Sequence, residues 1–308
     1  MTSRKLGIAV TTYNRCDILL SGLEAIKRLT SIDYELVVCD DGSVDDTVSA
    51  LTRHNITVVG KTNKGIAWNK NRGLFYLSQH MCCDTIILLD DDAHPVLMGW
   101  EQEWIAACDR FGHVNYIPPH YRESLLAGKM TATNPGVGPT VGGMAIGQTA
   151  QALSCVGYMD VRFGRYGHEH SDFTGRFARA GFGGFKYQGL TSIEDVYYLI
   201  EGGIELVPSE SSGTPHDLSQ NGALLGQLAN DPIYRSPWRT DAEMRDFLSE
   251  MPIAFWGAQG GLIPPREAFS ASAYLTQYDD VRDANNDALE HYVRAGRSEG
   301  RAYGRATE

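Results

Sequence analysis

The 308-residue sequence has no CxxC pair, no apolar run of membrane-spanning length, no excess of positive charge and no tandem repeat. Its six cysteines (Cys16, Cys39, Cys82, Cys83, Cys108 and Cys155) fall at irregular intervals without zinc-ligand spacing. Neither a disulfide framework nor a zinc site is expected from them, and a reducing, cytoplasmic setting is. No stretch approaches the roughly 20 apolar residues that a bilayer-spanning helix needs. The start, MTSRKLGIAVTT, passes directly into a strand-like run, so no signal peptide is expected and any contact with the inner membrane is expected to be peripheral. The formal charge of −11, from 27 Lys+Arg against 38 Asp+Glu, leaves no broad basic footprint and argues against a nucleic-acid partner. A nucleotide ligand stays open, because a bound divalent cation offsets phosphate charge locally.

What the chain does have is alternation of two periods. The runs LGIAVTT (6–12), YELVVCD (34–40), ITVVG (56–60) and DTIILLD (84–90) are short, apolar and rich in β-branched residues, as buried parallel strands are. Between them Ile18, Leu19, Leu23, Ile26 and Leu29 form a helical stripe, Trp68, Leu74, Phe75 and Leu77 lie in a second helical stretch, and Ser43–Asp46 open a third helix. This alternation predicts an α/β fold with a central, mostly parallel sheet flanked by helices. Further helices are predicted over 97–110, where Trp100 and Trp104 pack helix against sheet, and over 170–180, closed by Gly181. The stretch NPGVGPTVGG (134–143) predicts a loop leading into a strand near 141–147, and 201–240 reads as a mobile loop region.

In doubly wound sheets ligands bind outside the carboxyl ends of the strands. Here those ends are polar: Thr11-Thr12-Tyr13-Asn14-Arg15, Asp40-Asp41-Gly42-Ser43 and Asp90-Asp91-Asp92. The apolar IILL run delivers the last cluster to the sheet edge with little freedom. Adjacent carboxylates repel one another and gain stability from a hard divalent cation such as Mn2+ or Mg2+. The competing reading of Asp90–Asp92 is a helix N-cap run ahead of Pro95.

TTYNR (11–15), VVCDDGSVDDT (37–47), NKGIAWNKNRG (63–73) and TIILLDDDAHP (85–95), followed by GYMDVRFGRYGHEHSDFTGRFARAGF (157–182), resemble in order and spacing the motifs of family 2 glycosyltransferases. The resemblance covers about residues 5–185. It implies the Rossmann-like GT-A fold and transfer of a sugar from a nucleotide-diphosphate donor, a UDP-sugar in the first instance, to a hydroxyl acceptor. By the same resemblance Thr11, Tyr13 and Arg15 lie on the nucleotide side. Asp41 contacts the base edge, and Lys64, Gly65, Asn71 and Arg72 close over the nucleotide. Asp90 and Asp91 accompany the donor, and Asp92 with Asp90 holds the metal. A helix cap for Asp41 and an exposed helix position for Arg72 are the plain alternatives.

One departure stands out. Where the family pattern reads G-x-E-D, this chain reads Gly167-His168-Glu169-His170, with a histidine in place of the aspartate base of inverting enzymes. An imidazole, with an ordinary pKa near ~6.5, suits deprotonation of an acceptor hydroxyl. Glu169 can share or take that role; a retaining reaction would need neither, and plain capping of the helix by His168 and His170 is the alternative. Inversion is the leading expectation. Asp172 and Arg176 are spaced for an ion pair along the helix. His216, in SSGTPHDLSQN, is a candidate third metal ligand from a late loop, with a solvated side chain as the alternative; His94 is a weaker one.

Residues 1–263 are expected to form the catalytic domain, with a donor half to about 95 and an acceptor half from 96. Residues 264–308 are expected to form a short helical appendage. Within it Tyr274, Leu275, Asp280, Val281, His291, Tyr292, Gly296, Glu299, Gly300 and Arg301 resemble a small bacterial module found beside surface-polysaccharide glycosyltransferases. That likeness implies a glycan acceptor in a bacterial surface-polysaccharide setting and a structural or protein-contact role for the appendage. Two other readings remain: a sugar-1-phosphate nucleotidyltransferase, whose Gly-rich basic loop is missing after strand 1, and a non-catalytic nucleotide-sugar or glycan binder.

Overall fold

The computed structural model describes residues 4–188, 193–209, 213–251, 271–286 and 288–291, together with Ala295, Glu299 and Arg301. The chain divides into two compact units, Met1–Arg239 and Thr240–Glu308. The boundary expected at 263/264 lies outside the described residues.

The first unit opens with β1 (Leu6–Thr12), α1 (Cys16–Leu29), β2 (Tyr34–Asp40), α2 (Thr47–Arg53), β3 (Val58–Val59), α3 (Ile66–Phe75) and β4 (Thr85–Asp90). All seven positions of β1 are buried, which is why its apolar run is continuous rather than alternating. In α1 the stripe Leu19, Leu23 and Ile26 is buried, each side chain contributing about 1.5–3 kcal/mol of transfer free energy. Asp17 in its first turn and Lys27 and Arg28 in its last complement the helix dipole. β3 is shorter than the 56–60 run, because Ile56 closes the end of α2 through its N–H to the Leu51 carbonyl (3.1 Å).

The elements that follow are β5 (Ala93–Pro95), α4 (Trp100–Phe111), β6 (His113–Tyr116), β7 (Gly136–Gly138), β8 (Ala145–Thr149), α5 (Ala150–Val156), α6 (Glu169–Arg179), β9 (Gly184–Gln188), β10 (Ile193–Ile200), β11 (Ile204–Leu206) and α7 (Pro215–Leu228). The main sheet has nine strands in the order β3-β2-β1-β4-β8-β6-β10-β7, with β9 added on β10. The β3-β2-β1-β4 half is parallel, as the strand–helix alternation predicts. The other half is mixed: β8 is antiparallel to β4 and β6, β6 is parallel to β10, and β7 and β9 are antiparallel to β10. No α-helix lies between β6 and β8. The helical crossover that keeps successive strands parallel is missing there, and β8 runs back against β6.

Two sequence expectations change. The 201–240 stretch is not a structureless loop: it carries β11, paired antiparallel with β5, and the 14-residue helix α7. α7 starts in a capping box: Thr214 Oγ1 accepts the Asp217 N–H while Asp217 Oδ2 accepts the Thr214 N–H, with Pro215 at the first helical position. The Gly and Ser residues that weakened the helical pattern are outweighed by that start. His216 therefore sits exposed in the first turn of a helix rather than in a loop. α6 keeps its expected bounds within a residue, and Gly181 follows it with φ 87°, the left-handed conformation of a helix terminator.

Trp100 and Trp104 are core residues, and the Trp104 indole N–H donates to the Gly202 carbonyl (2.9 Å). In the second unit α8 (Asp241–Ser249) is capped by Thr240, and α9 (Ala271–Gln277), α10 (Asp279–Asp283) and α11 (Ala288–His291) follow. The Tyr274 hydroxyl lies 3.1 Å from His291 Nδ1, and Arg301 grips both oxygens of Asp280 while lying over the Tyr278 ring. These residues of the small module thus bond to one another. Leu289, Tyr292, Val293, Gly296 and Gly300 include side chains or backbone outside the described residues. All six cysteines are free thiols. Among the described residues no helix is long and apolar enough to cross a membrane.

Trp104→Ala removes a fully buried indole and its hydrogen bond. It is expected to cost about 3–5 kcal/mol, read as a lower urea midpoint at unchanged m value. A loss under about 1 kcal/mol would show that this helix–sheet contact contributes little.

Candidate active site

The carboxyl ends of β1, β2 and β4 open on a cavity of about 1370 Å³. Thr11, Tyr13, Arg15, Asp41, Gly65, Asp90, Asp91 and Asp92 line it, and so do Glu169 and His170 at the start of α6. The register explains part of this: Thr11 pairs with Asp90 across β1 and β4, so the Thr11 hydroxyl donates to Asp90 Oδ1 (2.8 Å). One residue on, Thr12 donates to Asp91 Oδ2 (2.7 Å). Arg15 Nη1 reaches Asp91 Oδ1 at 3.0 Å and Asp92 Oδ2 at 3.3 Å, and the Ser209 hydroxyl also bonds to Asp92. Burial pushes the Asp91 carboxyl up to about 6, reinforced by Asp90 and opposed by Thr12 and Arg15.

Lys70 is the residue that sequence reading passed over. It lies in the middle of α3, 1% exposed, with Nζ 2.9 Å from Asp90 Oδ1 and 2.6 Å from the Gly143 carbonyl. Burial raises the Asp90 carboxyl and Lys70 pulls it back. A lysine in a polar stretch ordinarily reads as solvent-facing. The available signal was that α3 joins two buried strands with polar residues on every side, so some of them had to turn inward. Ala67 to Phe75 are all buried.

The same burial settles several expected roles. Arg72 is fully buried, with Nη1 on Asp41 Oδ1 (3.1 Å) and Asn69 Oδ1 (2.8 Å) and Nη2 on the Thr62 carbonyl (2.9 Å). It is neither an exposed helix residue nor a wall of the cavity. Asn71 bonds in both directions to the backbone of Met159 (2.9 and 2.8 Å) and also stays out of the cavity. Lys64 is exposed, its ammonium 5.5 Å from the Trp68 ring. Asp41 does reach the cavity, but its oxygens accept the N–H groups of Lys64 (2.9 Å) and Gly65 (3.0 Å). Gly65 has φ 90°, and a Cβ there would stand 2.1 Å from the Gly164 carbonyl, so only glycine lets the two loops touch. His94 is buried with Nε2 on the Asp91 carbonyl (2.9 Å), which makes it a brace behind the acidic turn. His216 does not line the cavity.

The rest of the lining includes Tyr121, Val141, Met144, Tyr197 and Leu218, which no motif marked, and Tyr166, which lies within the 157–182 motif without having been singled out. Tyr197 is a phenol whose pKa burial raises to about 12. His168, with φ 67°, opens α6 but makes no side-chain capping bond, and His170 Nδ1 lies 3.1 Å from Glu169 Oε1. Asp172 and Arg176 form the expected pair (2.8 Å), buried, with the guanidinium also on the carbonyls of Val156, Tyr158 and Ile233. That pair is structural.

Among the described residues no group of three or more His, Cys, Asp or Glu side chains is arranged to hold a metal alone. Asp90 and Asp92 nonetheless fit a cation shared with a ligand, since Mg2+-type sites commonly use one or two carboxylates plus substrate phosphates. Both side chains are partly open to the cavity, 21% and 18% exposed.

Residues 7–123 match the family described as Glycosyl transferase family 2. Chondroitin synthase of Escherichia coli is 30% identical over 98 residues, which are 29% of this chain and 14% of that protein, so the match spans a small part of that relative's length. Three solved structures are similar. Residues 1–349 of S. aureus TarS in complex with UDP-GlcNAc give a TM-score of 0.49 at 15% identity, covering 91% of this chain and 77% of that one. The mannosyltransferase PcManGT from Pyrobaculum calidifontis in complex with GDP-Man and Mn2+ gives 0.48 at 15% identity, covering 95% and 84%. Glucosyl-3-phosphoglycerate synthase from Mycobacterium tuberculosis, with Mn2+, UDP and phosphoglyceric acid, gives 0.47 at 16% identity, covering 73% and 76%.

The raised Asp91 carboxyl has a stability consequence. Its folded pKa of about 6 exceeds the unfolded value, so the folded state holds the proton more tightly. The stabilisation is full below about pH 4 and is lost as pH rises through 6. Asp91→Asn is therefore expected to be more stable than wild type at pH 7 in metal-free buffer, by about 1–3 kcal/mol, with the gap closing by pH 4 in thermal melts. A constant gap across that range would contradict the assignment.

Proposed function

We propose that this family 2 chain is a metal-dependent glycosyltransferase that moves a sugar from a nucleotide-diphosphate donor, a UDP-sugar in the first instance, to a hydroxyl of a glycan acceptor, with inversion at the anomeric carbon. The observation that supports it most is a single cavity with two chemically different walls. One carries the acidic strand ends and the β1–α1 turn; the other carries Glu169 and His170. The match of residues 7–123 to the family includes the residues of the first wall. The strand after which a nucleotidyltransferase would place a Gly-rich basic loop instead ends in Thr11–Arg15.

Asp92, with Asp90, would hold the divalent cation, which when bound supplies Lewis-acid stabilisation to a departing diphosphate. Thr11 and Thr12 orient the carboxylates through their hydroxyls, and Arg15 bridges Asp91 and Asp92 so that they stay close despite like charge. Tyr13, 39% exposed at the end of β1, offers a ring face to a nucleotide base, and Gly65 keeps the adjoining loop close. The acceptor hydroxyl would approach from the Tyr121, Tyr166 and Tyr197 side and meet the Glu169–His170 pair. A cytoplasmic site of action, peripheral membrane or protein contact through residues 264–308, and a place in bacterial surface-polysaccharide synthesis belong to the same proposal.

A panel of nucleotide-sugars with manganese, screened by thermal shift, tests the donor reading, because a ligand at about 100 times its Kd adds about 2.7 kcal/mol of stability. At least one UDP-sugar is expected to raise Tm only with metal present. Manganese-dependent hydrolysis of that donor is expected to fall by about 10²-fold or more in Asp92→Ala. If no nucleotide-sugar binds with metal present, the proposal is wrong; binding without any turnover would favour a non-catalytic binder.

A further inference from the structure

The histidine in place of the usual aspartate is one of two adjacent groups able to take a proton, and the geometry separates them. Glu169 is the first residue of α6 and its side chain is 4% exposed, whereas that of His170 is 23% exposed. Glu169 Oε1 is engaged by His170 Nδ1 at 3.1 Å, and Oε2 is buried without a hydrogen-bond partner among the described residues. Neither oxygen is placed to meet an incoming hydroxyl. The imidazole is: its ring lines the cavity, its Nδ1 is turned to the carboxylate, and its Nε2 has no hydrogen-bond partner among the described residues.

Two neighbours hold this arrangement. The Gly143 backbone packs against the ring so closely that a Cβ there would stand 2.9 Å from His170 Cγ and Nδ1, so a larger residue at 143 would displace the imidazole. Lys70, whose ammonium lies on the Gly143 carbonyl and Asp90, also acts on Glu169. Burial alone would raise the Glu169 carboxyl, but the attraction of His170 and Lys70 outweighs it and holds the group below the usual carboxylate range. A carboxylate so stabilised is a poor proton acceptor and a good partner for an N–H.

We propose that His170 is the base of the transfer, acting through Nε2, and that Glu169 is a positioning residue that fixes its Nδ1–H tautomer and stabilises the imidazolium. This rests on the transfer reading above. In the step itself the acceptor O–H proton passes to Nε2. The acceptor oxygen then bonds the anomeric carbon as the bond from that carbon to the diphosphate oxygen breaks, and the nucleoside diphosphate leaves with the electron pair. The logic is that of a carboxylate–histidine pair in hydrolases, built here from consecutive residues at a helix start.

Two measurements on the whole 308-residue chain test it. In two-bond 1H–15N correlation spectra, with the His170 signals assigned through His170→Asn, the wild-type ring is expected to carry its proton on Nδ1 at neutral pH, and the Nε2–H form is expected to appear in Glu169→Gln. In steady-state assays of UDP release from whichever UDP-sugar the thermal-shift panel selects, His170→Ala is expected to lower kcat by about 10²-fold or more. The near-isosteric Glu169→Gln is expected to lower it by about 10-fold or more. The manganese-dependent affinity for UDP should stay within about twofold in both. A near-normal kcat in His170→Ala, or a wild-type His170 protonated on Nε2, would overturn the assignment. Failure of wild-type protein to bind UDP with manganese would instead overturn the donor reading, leaving the tautomer result to stand by itself.

Discussion

One buried ammonium organises the cavity. Lys70 is held by Asp90 at the end of β4 and by the carbonyl of Gly143 ahead of β8, and its field reaches Glu169 at the start of α6. A lone ammonium in that position would cost several kcal/mol or give up its proton. Three segments distant in sequence therefore have to arrive together for the charge to be tolerated, and each then has little room to shift. Its net contribution to stability is small, since desolvation offsets most of what a buried ion pair gains. The acidic end of β4 and the start of α6 are both within reach of that one side chain.

The rest of α3 follows from the same constraint. A helix inserted between two buried layers with Asn69, Lys70, Asn71 and Arg72 in its middle must satisfy every polar group internally. Asn69 donates to the Cys39 carbonyl, Asn71 exchanges bonds with Met159, and Arg72 spans Asp41, Asn69 and Thr62. The charged side chains of the 63–73 motif accordingly do not line the cavity themselves: Lys70 acts on it through Asp90 and Gly143, and the motif's lining residues are Asn63, Gly65, Ile66 and Asn69. Asp41 works in the same indirect way, because the amides of Lys64 and Gly65 and the Arg72 guanidinium draw on its oxygens. Its main effect on the cavity is to set the course of the 63–65 loop.

The parts of this structure that were legible in the sequence are those where local periodicity and burial agree. β1 and β2 occupy the runs expected of them to the residue, since a strand covered on both faces leaves a continuous apolar signature. The acidic end of β4 and the Glu169–His170 pair do line one cavity, and the motifs that marked them sit at element ends. α7 was hidden because its apolar residues are diluted by Gly222 and Gly226, and its start depends on a capping box that periodicity does not see. Lys70 and Arg72 were hidden for a different reason: nothing local distinguishes a lysine or arginine that faces solvent from one that meets a carboxylate dozens of residues away. Pairing across a sheet is tertiary information. Tyr121, Met144 and Tyr197 in the cavity lining were hidden likewise, each coming from a segment with no motif.

Reversal of β8 shows why those segments were the ones recruited. In the parallel half only carboxyl ends of strands face the cavity, which is how Thr11–Arg15, Asp41 and Asp90–Asp92 come to share it. β8 runs antiparallel to β4, so its amino end lies at that same edge, and the Asp90 N–H donates to the Met144 carbonyl at 2.8 Å. The loop before β8 is thereby drawn into the wall, bringing Val141, Gly143 and Met144. β6, antiparallel to β8 in turn, again points its carboxyl end to the cavity and leads toward Tyr121. A continued parallel order would have put another strand's carboxyl end and the start of a crossover helix at this place. The reversed strand puts glycine-rich backbone there, close against the His170 ring and offering Lys70 a carbonyl. The change in strand direction therefore marks the border between the acidic strand ends and the glycine-rich backbone in the cavity lining.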